Sequence, residues 1–198
     1  AEEGRLIAWM RNDDEQNAIK ETGIDASLPD PDDPSADPVA GVYFNNLSFS
    51  KLDWYLNADT QIGQGVKNGD GTCSYRITVT LTNIMTQEEA GKLPDYVAAS
   101  APDAARDDER LNVSLFAPTG GNITDLTVEG TQFGLGAATW HGIPFYSGTV
   151  DLHAGETTTI TYTLTTSAEA GDKPLTLRQT PTSVSYTHLR AHETELHL

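Results

Sequence analysis

Three of the five histidines in this 198-residue chain lie near its carboxyl end, at His188, His192 and His197. Imidazole is a common zinc ligand, and a spacing of four residues places His188 and His192 on one face of a helix. These two residues could therefore bind one zinc ion. The stretch from His192 to His197 does not match the zinc-protease motif H-E-x-x-H, because its histidines are five positions apart rather than four. The spacing thus offers a metal site but not a metalloprotease.

The residues around these histidines resemble something other than a natural protein. Residues 184–194 read VSYTHLRAHET and resemble the translation of a transposase-type sequencing-library adapter. We therefore expect residues 183–198 to be an unfolded artefact that takes no part in function. The remaining histidines, His141 and His153, have no cysteine or second histidine at ligand spacing. We accordingly expect no metal and no cofactor.

Motifs for nucleophilic or phosphate chemistry are also missing from the rest of the sequence. Ser48, Ser50 and Ser114 lack the G-x-S-x-G pattern of a nucleophile elbow. Gly63 and Gly65 are not followed by the helix start that cradles a phosphate. Carboxylates are abundant, but no two of them are marked as a glycosidase pair. We predict that these residues form a non-catalytic module, and this prediction leaves open the activity of a longer protein.

The composition excludes several partners. The formal net charge of −17 repels nucleic-acid phosphates and anionic membrane surfaces, and it suits an exposed, solvated exterior. No apolar run approaches the roughly 20 residues of a membrane helix. Cys73 is the single cysteine, so these residues hold no disulfide framework, and a buried thiol is expected.

One short run joins a cation, an acid and two aromatic side chains: Lys51, Asp53, Trp54 and Tyr55. As a strand, the run would place Lys51, Asp53 and Tyr55 on one face. That face could anchor a ligand through the Lys51 and Asp53 charges. Alternatively, Lys51 and Asp53 form an ion pair that, with an aromatic ring, locks the junction between the first segment and the body of the protein.

The large aromatic side chains allow two interpretations as well. Trp54, Tyr55, Trp140 and Tyr146 could form a platform for sugar rings, because exposed aromatic rings stack on the apolar faces of sugars. They could equally pack in a core, where most large aromatic residues lie. Side-by-side exposure of two of them would favour sugar binding.

The first 38 residues are predicted to form a short α/β segment and a linker. Residues 5–10 are an apolar run of strand length, and the acidic residues 13–15 suit the start of a helix that ends near Gly23. Residues 29–38 interleave four prolines with four aspartates. This stretch departs from the D-x-D-x-D-G calcium loop, so we expect a solvated acidic linker, the end of a truncated upstream domain.

From residue 39 onward the pattern is that of β-strands. Apolar and polar residues alternate clearly over residues 75–81 and 158–164, which is typical of strands with one buried face. Further strands are predicted at residues 39–44, 51–56, 111–115, 123–128, 148–152 and 174–177. Two packed antiparallel sheets bury such faces most simply, so we predict a mainly β fold with an immunoglobulin-like β-sandwich over residues 39–182. Residues 88–109 are expected to be a long loop with some helix.

Several segments together resemble the carboxy-terminal part of the domain of unknown function 4012 family of bacterial surface proteins. They comprise EEGRLIAW at residues 2–9, DEQ at 14–16, VYFNN at 42–46, KLDWYL at 51–56, the strand after Cys73 and LRQTP at 177–181. The resemblance implies an exported protein held by a membrane helix upstream of this fragment. It implies no activity and no site residue.

The sequence therefore predicts a non-catalytic extracellular module of a bacterial cell-envelope protein that serves as scaffold, spacer or adhesion surface. Its expected partners are cell-wall glycan or another envelope protein. One alternative is an accessory domain of a cell-wall-processing enzyme whose active site lies in a missing amino-terminal part. Another is a carbohydrate-binding sandwich. The candidate surface or junction residues are Lys51, Asp53, Trp54, Tyr55 and Trp140.

Overall fold

A computed structural model describes residues 6–25, 28–129 and 136–183 of the chain. The fold is mainly β, as predicted, and its strands form two sheets. The strands are β1 (Val39–Asn46), β2 (Leu56–Ile62), β3 (Val66–Lys67), β4 (Cys73–Asn83), β5 (Glu109–Phe116), β6 (Asn122–Glu129), β7 (Gly136–Trp140), β8 (Ile143–Leu152), β9 (Thr157–Thr165) and β10 (Thr176–Gln179). The helices are α1 (Asp13–Glu21), α2 (Gln87–Ala90) and a 3-10 helix (Leu52–Tyr55).

The first sheet has the strand order β10-β1-β5-β8-β7, and the second has the order β2-β4-β9-β6 with β3 added beside β4. Neighbouring strands are antiparallel except for one pair. Strand β10 runs parallel to β1, with Val39 opposite Thr176. The prediction of purely antiparallel sheets is therefore wrong at this edge, because the chain enters β10 at the same end of the sheet at which it enters β1.

Both sheets bury one face in a common hydrophobic core. The alternating residues Ile77, Val79 and Leu81 of β4 are fully buried, and their neighbours along the strand are not. Strand β9 repeats this pattern, and β5 supplies Leu111, Val113 and Leu115 from the other sheet. The period-two alternation in the sequence therefore identified the inward faces correctly.

The amino-terminal segment contains the predicted helix but not the predicted strand. Asn12 caps α1 by accepting hydrogen bonds from the backbone of Asp14 and Glu15, as polar residues commonly do at this position. Residues 6–10 are irregular, and the side chains of Leu6, Ile7 and Trp9 are exposed. The strand prediction is wrong there, because the described backbone of this run forms no sheet pairing. No described helix is long and apolar enough to cross a membrane.

A strand is predicted from Lys51 to Leu56, but Leu52–Tyr55 form a 3-10 helix and β2 begins only at Leu56. Leu52 of this helix is fully buried and belongs to a second hydrophobic cluster. The cluster lies at one end of the sheets. Its buried members are Leu52, Met85, Ala90, Leu93, Ala98 and Ala154.

Most of that second cluster comes from the long connection between β4 and β5. The connection begins with the short helix α2, whose start carries a capping box formed by Thr86 and Glu89. Arg106 fastens the later part of the loop by donating hydrogen bonds to the Leu93 carbonyl and the Asp95 carboxylate. The predicted loop with some helix is confirmed, and the loop packs against the 3-10 helix.

The proline-rich stretch before β1 is tied to the body of the protein. Lys173 donates a hydrogen bond to the Ser35 carbonyl and lies 3.5 Å from the Asp37 carboxylate. Thr119 donates to the Asp30 carbonyl. The placement of the domain boundary at residue 38 stays a prediction.

Candidate functional site

An open groove of about 700 Å³ lies beside the 3-10 helix. Four of the five residues singled out in the sequence, Lys51, Asp53, Trp54 and Tyr55, line it. Its other wall follows β10 and comprises Thr180, Pro181, Thr182 and Ser183. The groove therefore joins two parts of the chain that are more than 120 residues apart.

The groove wall is fixed from three sides. The backbone N–H of Lys51 donates to the Val97 carbonyl at 3.0 Å, and the N–H of Ile84 donates to the Tyr55 carbonyl at 2.9 Å. The Ser183 hydroxyl donates to the Trp54 carbonyl at 2.5 Å. Together with the buried Leu52 side chain, these bonds hold the 3-10 helix in place.

The charged and aromatic side chains of the wall are arranged differently from the predicted strand. Lys51 and Asp53 do not form a salt bridge with each other, so the predicted ion pair is wrong. Trp54 is 70% exposed, whereas Tyr55 is half-buried and packs against the second cluster. An indole face beside polar groups is thus available to a ligand.

Asp53 belongs to a network of polar side chains behind the groove. The Asn46 side-chain nitrogen donates towards the Asp53 carboxylate at 3.1 Å, the Ser50 hydroxyl at 3.1 Å and the Glu109 carboxyl at 3.4 Å. The Asn46 side-chain oxygen accepts from the Ser48 backbone at 2.8 Å, which fixes the orientation of the amide. One amide group therefore links the end of β1, the groove wall and the start of β5.

Glu109 is the most unusual member of this network. Its side chain is fully buried, and its Oε2 atom has no hydrogen-bond donor in the described structure. Burial, followed by the charge of Asp53 and a hydrogen bond to it, raises the pKa of Glu109 to about 8. Glu109 is thus a neutral acid at pH 7. As a neutral acid it can donate its proton to the Asp53 carboxylate.

The sequence analysis did not identify Glu109 as part of the site, although a signal was present. Glu109 is in phase with Leu111, Val113 and Leu115, all of which point into the core. Extending the alternation one step back would have placed a carboxyl on the buried face. A buried acid within an apolar series is a candidate for function or for proton sharing.

The residues beside Glu109 form a second polar cluster with a different character. Arg110 donates to the Asp151 carboxylate at 2.8 Å and to the Asp108 carboxylate at 3.3 Å. Burial is the main cause that raises the pKa of Asp108, and the nearby Arg110 charge opposes it. His153 lies 3.9 Å from Asp107, a pairing across the fold that the sequence did not indicate.

Trp140, the fifth candidate residue, lies away from the groove. It lines a smaller pocket of about 220 Å³ together with Leu28, Tyr43, Phe116 and Ile143. Its neighbours His141 and Gly142 both have positive φ and form the tight turn between β7 and β8. Trp54 and Trp140 line different pockets, so the four aromatic residues do not form one platform.

His188, His192 and His197, whose spacing raised the question of a metal site, lie outside the described residues, and so does the predicted artefact at residues 183–198 except for Ser183. Within the described ranges, no group of three or more histidine, cysteine, aspartate or glutamate residues could hold a metal ion.

Comparisons with known proteins add little. No family model matches the chain, and no curated protein matches it. A solved structure from Legionella pneumophila subsp. pneumophila, of a protein for which nutrient binding has been suggested, aligns with a TM-score of 0.34 and 10% identity. The alignment covers 67% of this chain and 45% of that protein, so the chain spans less than half of its length. A likeness at this level identifies neither a family nor a function.

Proposed function

We propose that this chain is a non-catalytic binding module of a bacterial cell-envelope protein and that its groove binds cell-wall glycan. The observation that carries the proposal is the exposed Trp54 indole in a groove of about 700 Å³. An aromatic face can stack on the apolar face of a sugar ring, and the surrounding polar groups can bond its hydroxyls. Lys51, Asp53, Ser50 and Thr180 supply such groups.

The charge and the architecture support this proposal. A net charge of −17 disfavours nucleic acid and anionic lipid as partners, whereas neutral sugar units carry no charge to repel. Two sheets with a common core provide the rigid frame on which binding modules place their loops. We propose an immunoglobulin-like arrangement for these sheets and, from the resemblance to the domain of unknown function 4012 family, a location outside the cell membrane.

Direct participation of Glu109 in glycoside hydrolysis does not fit its position. A glycosidase acid must reach the oxygen of the scissile bond, and the Glu109 side chain is fully buried behind Asp53. The groove therefore favours binding over hydrolysis as the role of this site.

The test is a peptidoglycan pull-down at pH 7 that compares the wild type with Trp54→Ala. We expect the substitution to weaken binding by at least about 30-fold, because truncation of a central aromatic contact costs about 2 kcal/mol or more. Trp9→Ala is the matched control, since Trp9 is 72% exposed and does not line the groove. Equal binding by wild type and Trp54→Ala, or no binding by the wild type to purified peptidoglycan, would contradict the proposal.

A further inference from the structure

Asn46 links the groove wall to the buried start of β5, because its amide faces both Asp53 and Glu109. The amide nitrogen lies 3.1 Å from Asp53 Oδ2 and 3.4 Å from Glu109 Oε1. Asp53 is part of the groove lining, and Glu109 is fully buried behind it. A change of charge on the buried carboxyl would therefore act directly on the residue next to Trp54.

The charges acting on Glu109 are both negative. Asp53 approaches from the 3-10 helix, and Asp108 precedes Glu109 in the chain. The other polar group beside Glu109 in the described network, Asn46, is neutral. The nearest guanidinium along the chain, that of Arg110, is engaged by Asp108 and Asp151. An ionised Glu109 would thus be a buried anion without a cationic partner in this network.

We propose that Asp53 and Glu109 share one proton and that this proton controls the shape of the groove. The effect on ligand binding rests on the proposed function, whereas the proton switch itself does not. When Glu109 is neutral, it donates to Asp53 and holds the 3-10 helix against the start of β5. When the proton leaves to solvent hydroxide, two carboxylates face each other, and their repulsion moves Asp53 away together with Trp54.

The proposal predicts a change in the groove at mildly alkaline pH. The pKa of Glu109 is about 8, so the shared proton is retained at pH 7 and mostly lost at pH 9. Glycan binding should therefore be intact at pH 7 and weakened at least about 10-fold at pH 9. In Glu109→Gln, the side-chain amide replaces the acid as a donor and does not titrate, so binding should be the same at both values.

The experiment follows the indole N–H resonance of Trp54 by NMR from pH 6 to pH 10 without any ligand. We expect the wild-type signal to shift with a midpoint near pH 8 and the Glu109→Gln signal to stay unchanged over that step. The signal of Trp9 is the internal control because Trp9 does not line the groove. In Asp53→Asn the second carboxylate is absent, so there is no repulsion and the Trp54 step near pH 8 should be lost.

The outcomes separate this inference from the proposed function. A Trp54 transition that vanishes in Glu109→Gln supports the proton switch even if peptidoglycan never binds, in which case only the proposed function fails. No Trp54 transition in the wild type, or an identical one in Glu109→Gln, overturns the switch. A flat response of the Glu109 carboxyl carbon between pH 6 and pH 10 would overturn it as well.

Discussion

Asp108 and Glu109 are adjacent, acidic and buried, yet they are stabilised in different ways. Asp108 faces the guanidinium of Arg110, which also binds Asp151. Glu109 faces an amide and a second carboxylate. The pKa of both is raised by burial, but only the surroundings of Asp108 include a cation that lowers it again. The first acid is therefore held by charge pairing and the second by proton sharing.

This difference follows from strand geometry. Successive residues of β5 point to opposite faces of the sheet. Arg110 therefore points away from the face that carries Glu109, and it meets Asp151 on the neighbouring strand β8, its partner in the ladder. The Arg110 guanidinium can therefore pair with Asp108 but not with Glu109, which points to the other face of the sheet.

The largest expected effect comes from removing that cation. Arg110→Ala leaves Asp108 buried without its partner, and we expect it to lower the free energy of unfolding at pH 7 by about 3–5 kcal/mol. For a chain of this size, this corresponds to a fall in Tm of about 6–20 °C. Thermal and urea unfolding would measure it. A loss below about 1 kcal/mol would show that the pairing at Asp108 contributes little.

Replacing the neutral acid Glu109 is expected to raise the free energy of unfolding, whereas Arg110→Ala lowers it. The pKa of Glu109 is 4.5 when unperturbed and about 8 in the folded protein. The folded state therefore binds more protons between these values, and its stability falls as the pH rises from about 4.5 to 8. Glu109→Gln lacks this loss, so we expect it to be more stable than wild type by an amount on the order of 3 kcal/mol at pH 9 and by little at pH 4.5.

Urea unfolding of both proteins at several pH values tests this prediction. Glu129→Gln, at an exposed position of β6, is the control and should change stability by no more than about 0.5 kcal/mol at any pH. A stability difference between wild type and Glu109→Gln that does not grow with pH would mean that Glu109 does not titrate as described.

A smaller effect is expected where Ser48, just after β1, bonds to the backbone at the start of β5. The fully buried Ser48 hydroxyl donates to the Asp108 carbonyl and accepts from the Arg110 backbone, both at 2.7 Å. Ser48→Ala removes both bonds and leaves the Arg110 N–H and the Asp108 carbonyl with only the 3.1 Å hydrogen bond between them. We expect a loss of about 1–3 kcal/mol in urea unfolding. An unchanged stability would show that the surrounding turn compensates.

The smallest effect is expected for an ion pair on the surface. Lys67 and Asp172 are 2.6 Å apart, but both side chains are more than two-thirds exposed. Lys67→Ala should change the free energy of unfolding by less than about 1 kcal/mol. An effect as large as that of Arg110→Ala would contradict the view that burial gives the Arg110 pairing its strength.

The sequence predicted the strands whose signal is local. Strands β4 and β9 alternate strictly over their central residues, so their buried faces could be read directly. The helix α1 was also predictable, because Asn12 and the acidic first turn mark its start. By contrast, β7 has no buried residue and consequently shows no apolar alternation.

The candidate site was predictable only in part. Lys51, Asp53, Trp54 and Tyr55 could be recognised from their types, but their 3-10 conformation depends on the burial of Leu52 among residues from the later loop. Glu109 reaches Asn46 across 63 residues of sequence. No local pattern reports which acid meets which amide, so the network became apparent only in the folded structure.

The most direct test of the account is an NMR titration of the wild-type protein with soluble peptidoglycan fragments at pH 7 and at pH 9. We predict that the Trp54 indole resonance shifts on addition of fragments at pH 7, that the Trp9 resonance does not, and that the Trp54 response is lost at pH 9. A Trp54 resonance that ignores the fragments at pH 7 would contradict the central claim that this groove is a glycan-binding site.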